Sequence, residues 1–206
     1  MMKKIIIMIS GRGSNMLAIA GNVKSGILKG VCEIQAVFSN KADAAGLQIA
    51  TEMGIRTHCI SSKGKKIKKY NSLVLEWLKQ KNPDMIVLAG YMKVLPSELI
   101  QEFPRRIVNI HPADTTKHQG LYGYEWAWEN KLPETKITVH YVDEGLDTGE
   151  IIEQRAVDLS GCNSLEEVEQ RGLKAEHEFY SECLRKILTA KHRKTQRDMF
   201  LKKVKN

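Results

Sequence analysis

The chain has 206 residues, 42% of them hydrophobic and 27% charged, a balance that supports a core-bearing globular domain and excludes disordered and fibrous classes. Its net charge of +8 is local: residues 185–206 hold nine Lys or Arg against one acid, Asp198, so residues 1–184 sum to zero and argue against a nucleic-acid partner. The apolar run 5–9 is too short to span a bilayer and Gly11-Arg12 follow without a cleavage pattern, so a cytoplasmic protein without membrane contact is expected.

In chain order, apolar runs of strand length alternate with stretches of helical period. Residues 4–10 predict a central strand and 14–24 a helix; 33–39 a second strand and 42–53 a helix ending at Gly54; 56–60 a short third strand. Five lysines around Gly64 give 61–69 a loop composition before helical spacing resumes over 70–81, which Asn82-Pro83 stops. Strands follow at 85–89 and 107–110, with a short helix over 96–103 between them. A polar loop covers 113–120, a helix 124–130, strands 136–142 and 151–157, and a long amphipathic helix 164–188 closes the body, capped by Ser164 with Glu167 three residues on. This pattern predicts an α/β class: a mostly parallel central sheet with helices on both faces. Residues 1–190 are expected to form one domain and 191–206 a basic C-terminal extension.

Cys32, Cys59, Cys162 and Cys183 lack Cys-x-x-Cys or zinc-finger spacing, so no metal is expected, and four reduced thiols are. Gly11-Arg12-Gly13-Ser14-Asn15 lies between the first strand and the first helix, where free amides and the helix dipole favour a phosphate. Met16 at the third glycine position, and Ser39-Asn40-Lys41 where a ribose-binding acid would end the second strand, disfavour a dinucleotide. Either a small-molecule phosphate or a plain tight turn satisfies the motif.

Asn109, His111 and Asp147 form the second constellation, all at or just past predicted strand ends. An amide, an imidazole and a carboxylate suit acyl transfer to an amine: the amide donates to a developing oxyanion, the imidazole moves a proton, and the carboxylate holds the histidine charged or accepts a proton. A structural histidine before Pro112 and a turn at Asp147-Thr148-Gly149 are the alternative. His140, within an apolar strand, reads as packing or as orienting a neighbour.

Residues 9–15, 37–43, 88–95, 109–112, 139–142 and 146–149 (ISGRGSN, VFSNKAD, LAGYMKVL, NIHP, VHYV, LDTG) together resemble the phosphoribosylglycinamide formyltransferase family of purine synthesis, from about Lys3 to about Leu188. The resemblance implies a Rossmann-like formyltransferase fold and direct attack, through a tetrahedral intermediate, of the amine of 5-phosphoribosylglycinamide on the formyl carbon of 10-formyltetrahydrofolate, with no metal. It implies small-molecule partners and a monomer or homodimer. By the same resemblance Asn109, His111 and Asp147 are catalytic, with His140 supporting; Gly13, Ser14 and Asn15 hold the substrate phosphate; Glu176 meets the substrate amine. Met92, Lys93, Val94, Leu95, Val142, Asp143 and Glu144 line the folate.

Three positions depart from the family's pattern. Ala113-Asp114-Thr115-Thr116 replaces its Ser-Leu-Leu-Pro after His-Pro, Ile67 stands where an arginine is common, and Glu150 where a proline is. Losing the proline frees backbone conformations and losing two leucines removes apolar anchors, so loop order and folate affinity are the properties this change bears on. Two rival readings are a methionyl-tRNA formyltransferase-like enzyme, opposed by the Gly-x-Gly-Ser-Asn turn, and a basic RNA-binding module, opposed by the neutral body.

Overall fold

A computed structural model describes residues 1–190; the basic extension expected over 191–206 lies outside the described residues. The strands are β1 (Lys3–Ile9), β2 (Cys32–Ser39), β3 (Thr57–Cys59), β4 (Met85–Leu88), β5 (Ile107–His111), β6 (Glu134–Tyr141) and β7 (Ile151–Asp158). The helices are α1 (Ser14–Ser25), α2 (Ala45–Glu52), α3 (Ile67–Lys81), α4 (Ser97–Glu102), α5 (Gly123–Glu129) and α6 (Leu165–Thr189).

One seven-stranded sheet runs in the order β3-β2-β1-β4-β5-β6-β7. The first five positions are parallel; β6 is antiparallel to β5, and β7 to β6. The expected mostly parallel sheet with helices on both faces is what forms. The unbroken apolar run of β1 has a direct cause in the pleat: Ile5, Ile7 and Ile9 pack with Met16, Ile19, Phe179 and Tyr180 on one face, while Ile6 and Met8 pack with Tyr70, Val74, Leu78 and Leu99 on the other.

The direction in which strands are added reverses between β1 and β4, since β2 and β3 extend one way from β1 and β4 and β5 the other. That switch point opens a crevice at the carboxyl ends of the parallel strands, the place where open α/β sheets take ligands. Two bonds brace it: Ser10 N donates to Gly90 O (2.9 Å), and Met92 N donates to Ser10 Oγ (2.8 Å). Helix α6 closes one face. Its Ser164 cap accepts from Glu167 N (3.2 Å), and Glu167 Oε2 accepts from Asn163 N (2.7 Å), the reciprocal pattern that the sequence predicts one residue further on. All four cysteines are free thiols; Cys32 and Cys183 are buried and Cys59 and Cys162 half-buried.

Candidate active site

Strand β5 carries Asn109 and His111 on alternate residues, so both side chains project to the same face of the sheet end. The β5–β6 register sets His140 opposite Asn109. Asp147 arrives from the loop after β6 in a left-handed conformation (φ 53°), unusual for a residue with a side chain and affordable for aspartate. The three strand-end residues and His140 converge. Asp147 Oδ2 lies 3.4 Å from His111 Nδ1, Asp147 Oδ1 lies 3.4 Å from His140 Nε2, and Asn109 Nδ2 donates to Asp147 Oδ1 at 3.2 Å.

The tautomers follow from the partners. His111 Nε2 sits 3.2 Å from the His118 carbonyl, which can only accept, so Nε2 carries the hydrogen and Nδ1 faces the carboxylate. His140 Nδ1 donates in the same way to Tyr141 O (2.9 Å), leaving its Nε2 as an acceptor 3.3 Å from Asn109 Nδ2. His140 Nε2 thus meets the Asn109 amide rather than only packing in the strand. The amide hydrogens of Asn109 serve Asp147 and His140 over long contacts, and long hydrogen bonds are readily exchanged for a better acceptor.

Burial decides the charge on His111. The ring is 3% exposed, and desolvation lowers its pKa below the ordinary histidine value despite the opposing pull of Asp147 and the His118 carbonyl. Burial thus works against the expectation that Asp147 keeps His111 cationic, while the carboxylate stands where it would stabilise a proton on Nδ1. Burial raises the Asp147 pKa, yet the Gly120 amide (3.0 Å to Oδ2) and the two neighbouring imidazoles outweigh it and hold the carboxyl below the usual range.

The glycine turn follows β1, at the same carboxyl edge of the sheet. Gly13 adopts a left-handed conformation (φ 77°) and a Cβ there would lie 2.9 Å from Gly46 Cα, so the turn requires glycine for both backbone and space. Helix α1 begins at Ser14 without a side-chain cap, leaving its first-turn amides unpaired within the helix. Asn15 links this turn to the rest: its Nδ2 donates to Glu176 Oε2 (2.5 Å), and Tyr124 Oη donates to Glu176 Oε1. Asn15 Oδ1 is buried without a protein partner. Glu176 is buried and its carboxyl pKa is raised by desolvation, with Tyr124 and Asn15 pulling the other way. Each oxygen still has a lone pair to offer.

Met92, Val94, Leu121, Tyr122 and Leu146 are exposed apolar side chains on the loops after β4, β5 and β6. Lys93 and Val142 are half-buried, Leu95 is buried, and Asp143 and Glu144 are exposed, Asp143 Oδ1 accepting from Thr148 Oγ1 (2.8 Å). The apolar side chains suit a flat, largely apolar molecule. No group of three or more potential metal ligands occurs among the described residues.

Sequence reasoning missed three contributors, all on the loop after Pro112. At the start of that loop Ala113, Asp114 and Thr115 are buried, and polar bonds replace apolar anchors. Asp114 roots the loop; His118 lends a carbonyl to His111 and stacks on Trp126 (centroids 4.9 Å); Gly120 lends its amide to Asp147. The usable signal was Asp114 two residues before Thr116, a side-chain-to-backbone turn signature. At the other departures, Ile67 is exposed as the first residue of α3, and Glu150 makes an exposed ion pair with Arg105.

Comparison with known proteins accords with this geometry. The formyl transferase family profile matches residues 3–184. Phosphoribosylglycinamide formyltransferase of Escherichia coli K12 is 37% identical over 177 residues, covering 85% of this chain and 82% of that protein. The enzyme of the same name from Bacillus subtilis 168 is 32% identical over 93% of this chain and 98% of its own length. The crystal structure of glycinamide ribonucleotide transformylase 1 from Geobacillus kaustophilus superposes with a TM-score of 0.86 at 33% identity, over 91% of this chain and all of that one (100%). A protein with this sheet order, this strand-end cluster and these relatives belongs to the formyl transferase family.

Proposed function

We infer that the chain transfers a formyl group from 10-formyltetrahydrofolate to the amine of 5-phosphoribosylglycinamide in purine biosynthesis. The carrying observation is the meeting of Asn109, His111 and Asp147 at the carboxyl edge of the sheet, the edge at which the Gly13 turn also follows β1. The names of the relatives supply the substrates.

The substrate phosphate sits on the amides at Gly13, Ser14 and Asn15, at the positive end of α1. Buried Glu176, without a cation of its own among its contacts, attracts the substrate amine, and Asn15 Oδ1 accepts from the same substrate. Met92 to Leu95 and Val142 to Glu144 hold the folate beside the imidazole. The amine attacks the formyl carbon; the oxygen turns anionic and takes the Nε2–H of His111 and an amide hydrogen of Asn109. Each such donor contributes on the order of 3 kcal/mol. As negative charge builds near the ring, Asp147, 3.4 Å from His111 Nδ1, favours positive charge on the imidazole, and the proton lost by the attacking amine passes to the departing folate nitrogen as the tetrahedral carbon collapses.

Every residue in this scheme comes from one chain, which is compatible with a monomer or a homodimer. Residues 1–190 act as one catalytic domain. Among the described residues no helix is long and apolar enough to cross a membrane, and we place the reaction in the cytoplasm with its dissolved substrates. The purified chain is incubated with both substrates in the presence of a chelator and tetrahydrofolate is followed by absorbance. Product that requires glycinamide ribonucleotide supports the reading; none, or product only with an RNA-linked amine, rejects it.

A further inference from the structure

The loop after Pro112 begins with three buried residues, Ala113, Asp114 and Thr115, two of them polar. Thr138 Oγ1 donates to Ala113 O (2.7 Å), and Gln154 Nε2 donates to Thr138 Oγ1 (2.9 Å) from the facing position on β7. The Asp114 carboxylate accepts from Thr116 N (3.1 Å), Thr116 Oγ1 (2.7 Å) and Gln154 Nε2 (3.0 Å), and pairs with Lys136 Nζ (3.1 Å). Lys136 and Thr138 are two apart on β6 and so share a face, which makes that face a polar floor for the loop. Burial raises the Asp114 pKa, but the bonds from Thr116, Gln154 and Lys136 outweigh it and hold the carboxyl well below the usual carboxylate range.

From this root a continuous line of bonds reaches the imidazole. Asp114 O accepts from Lys117 N (2.8 Å) and His118 N (2.9 Å). The other end of the His118 residue, its carbonyl, meets His111 Nε2, and Gly120 N donates to Asp147 Oδ2. One short segment thus touches both members of the His111–Asp147 pair.

We propose that Asp114 is a positioning residue for formyl transfer: by rooting residues 114–120 on β6 it fixes the direction of the His111 Nε2–H and the spacing between His111 and Asp147. It acts through the loop and touches no reacting atom. The proposal rests on the formyl-transfer reading above, and its consequences differ from those of a buried side chain that merely stabilises the fold. A misplaced imidazole lowers turnover while leaving the remote phosphate turn intact.

Three variants test it: Asp114→Ala removes all four side-chain contacts, Asp114→Asn keeps an oxygen acceptor for Thr116 and Gln154, and Lys136→Met removes the ion pair alone. Asp114→Ala is expected to lower kcat by about a hundredfold, the scale of an ångström-level displacement of a catalytic group, with KM for the ribonucleotide within about twofold. Asp114→Asn and Lys136→Met are expected to lower kcat by about two- to fivefold, the scale of one partly exposed ion pair. In histidine-labelled protein without substrate, the Nε2 resonance of His111 should move in Asp114→Ala. Wild-type kcat in Asp114→Ala, or a fall in kcat that tracks loss of folded protein with the His111 resonance unmoved, overturns the proposal. If Asp114→Ala does not fold, Asp114→Asn and Lys136→Met decide: unchanged kcat in both overturns it. An inactive wild type would reject formyl transfer instead, and the resonance would still show whether Asp114 sets the imidazole.

Discussion

The carboxylate of Asp147 lies 3.4 Å from Nδ1 of His111, on the opposite side of the ring from the hydrogen that the His118 carbonyl fixes at Nε2. This one relationship divides the imidazole into two ends with different tasks. Nε2–H faces an acceptor, and Nδ1 faces the charge that makes a second proton tolerable.

Replacing Asp147 by Asn should therefore lower kcat by about a hundredfold or more, the range of a lost acid–base partner. It should also depress the His111 pKa further, because the one anion that raises it is gone while burial remains. An NMR titration of His111 checks the sign: an unchanged or higher pKa in the variant contradicts it.

Gly172 on α6 faces the Tyr124 ring so closely that a Cβ there would lie 2.2 Å from ring carbons. Tyr124 is buried and donates to Glu176, so it has nowhere to retreat without giving up that bond. Overpacking costs about 1–3 kcal/mol, whereas alanine gains about 1 kcal/mol over glycine inside a helix. Gly172→Ala should lose stability on balance and weaken ribonucleotide binding through Glu176; an unchanged or raised urea midpoint would contradict the close-packed seat.

Three histidines, His58, His111 and His177, have pKa values lowered by burial. The unfolded chain then binds more protons than the folded one as pH falls below about 6.5, so the stability they contribute is present above that value and lost on acidification through their folded pKa values. Glu176, raised, acts in the opposite direction near the carboxyl range. Urea midpoints should fall from pH 7.5 to 5.5, and His111→Asn should flatten that slope. A midpoint that rises on acidification would reject the assignment.

Much of the fold was readable because physical periods are visible in composition. β1 is apolar throughout since both its faces are covered, and Ser164 with Glu167 announces α6. Boundaries slipped where charge masks the period: α3 starts at Ile67, three residues before the expected helix, because Lys68 and Lys69 hide its first turn. α2 starts at Ala45 because Ala44 N closes a turn onto Lys41 O. The cluster of Asn109, His111 and Asp147 was legible from strand ends, since parallel strands put their carboxyl ends on one edge. Asp114, His118 and Gly120 were not, because their roles exist only once the loop folds back on β6. Tyr124 likewise finds Glu176 on a distant helix, and no local pattern encodes that pairing.

The central claim is that His111, between the His118 carbonyl and Asp147, carries the transfer while the Gly13 turn binds the ribonucleotide. The most direct measurement is His111→Ala assayed for tetrahydrofolate release, paired with calorimetric titration of the ribonucleotide. The account predicts turnover reduced by at least about a hundredfold with ribonucleotide affinity nearly unchanged. Near-wild-type turnover in the folded variant would contradict it.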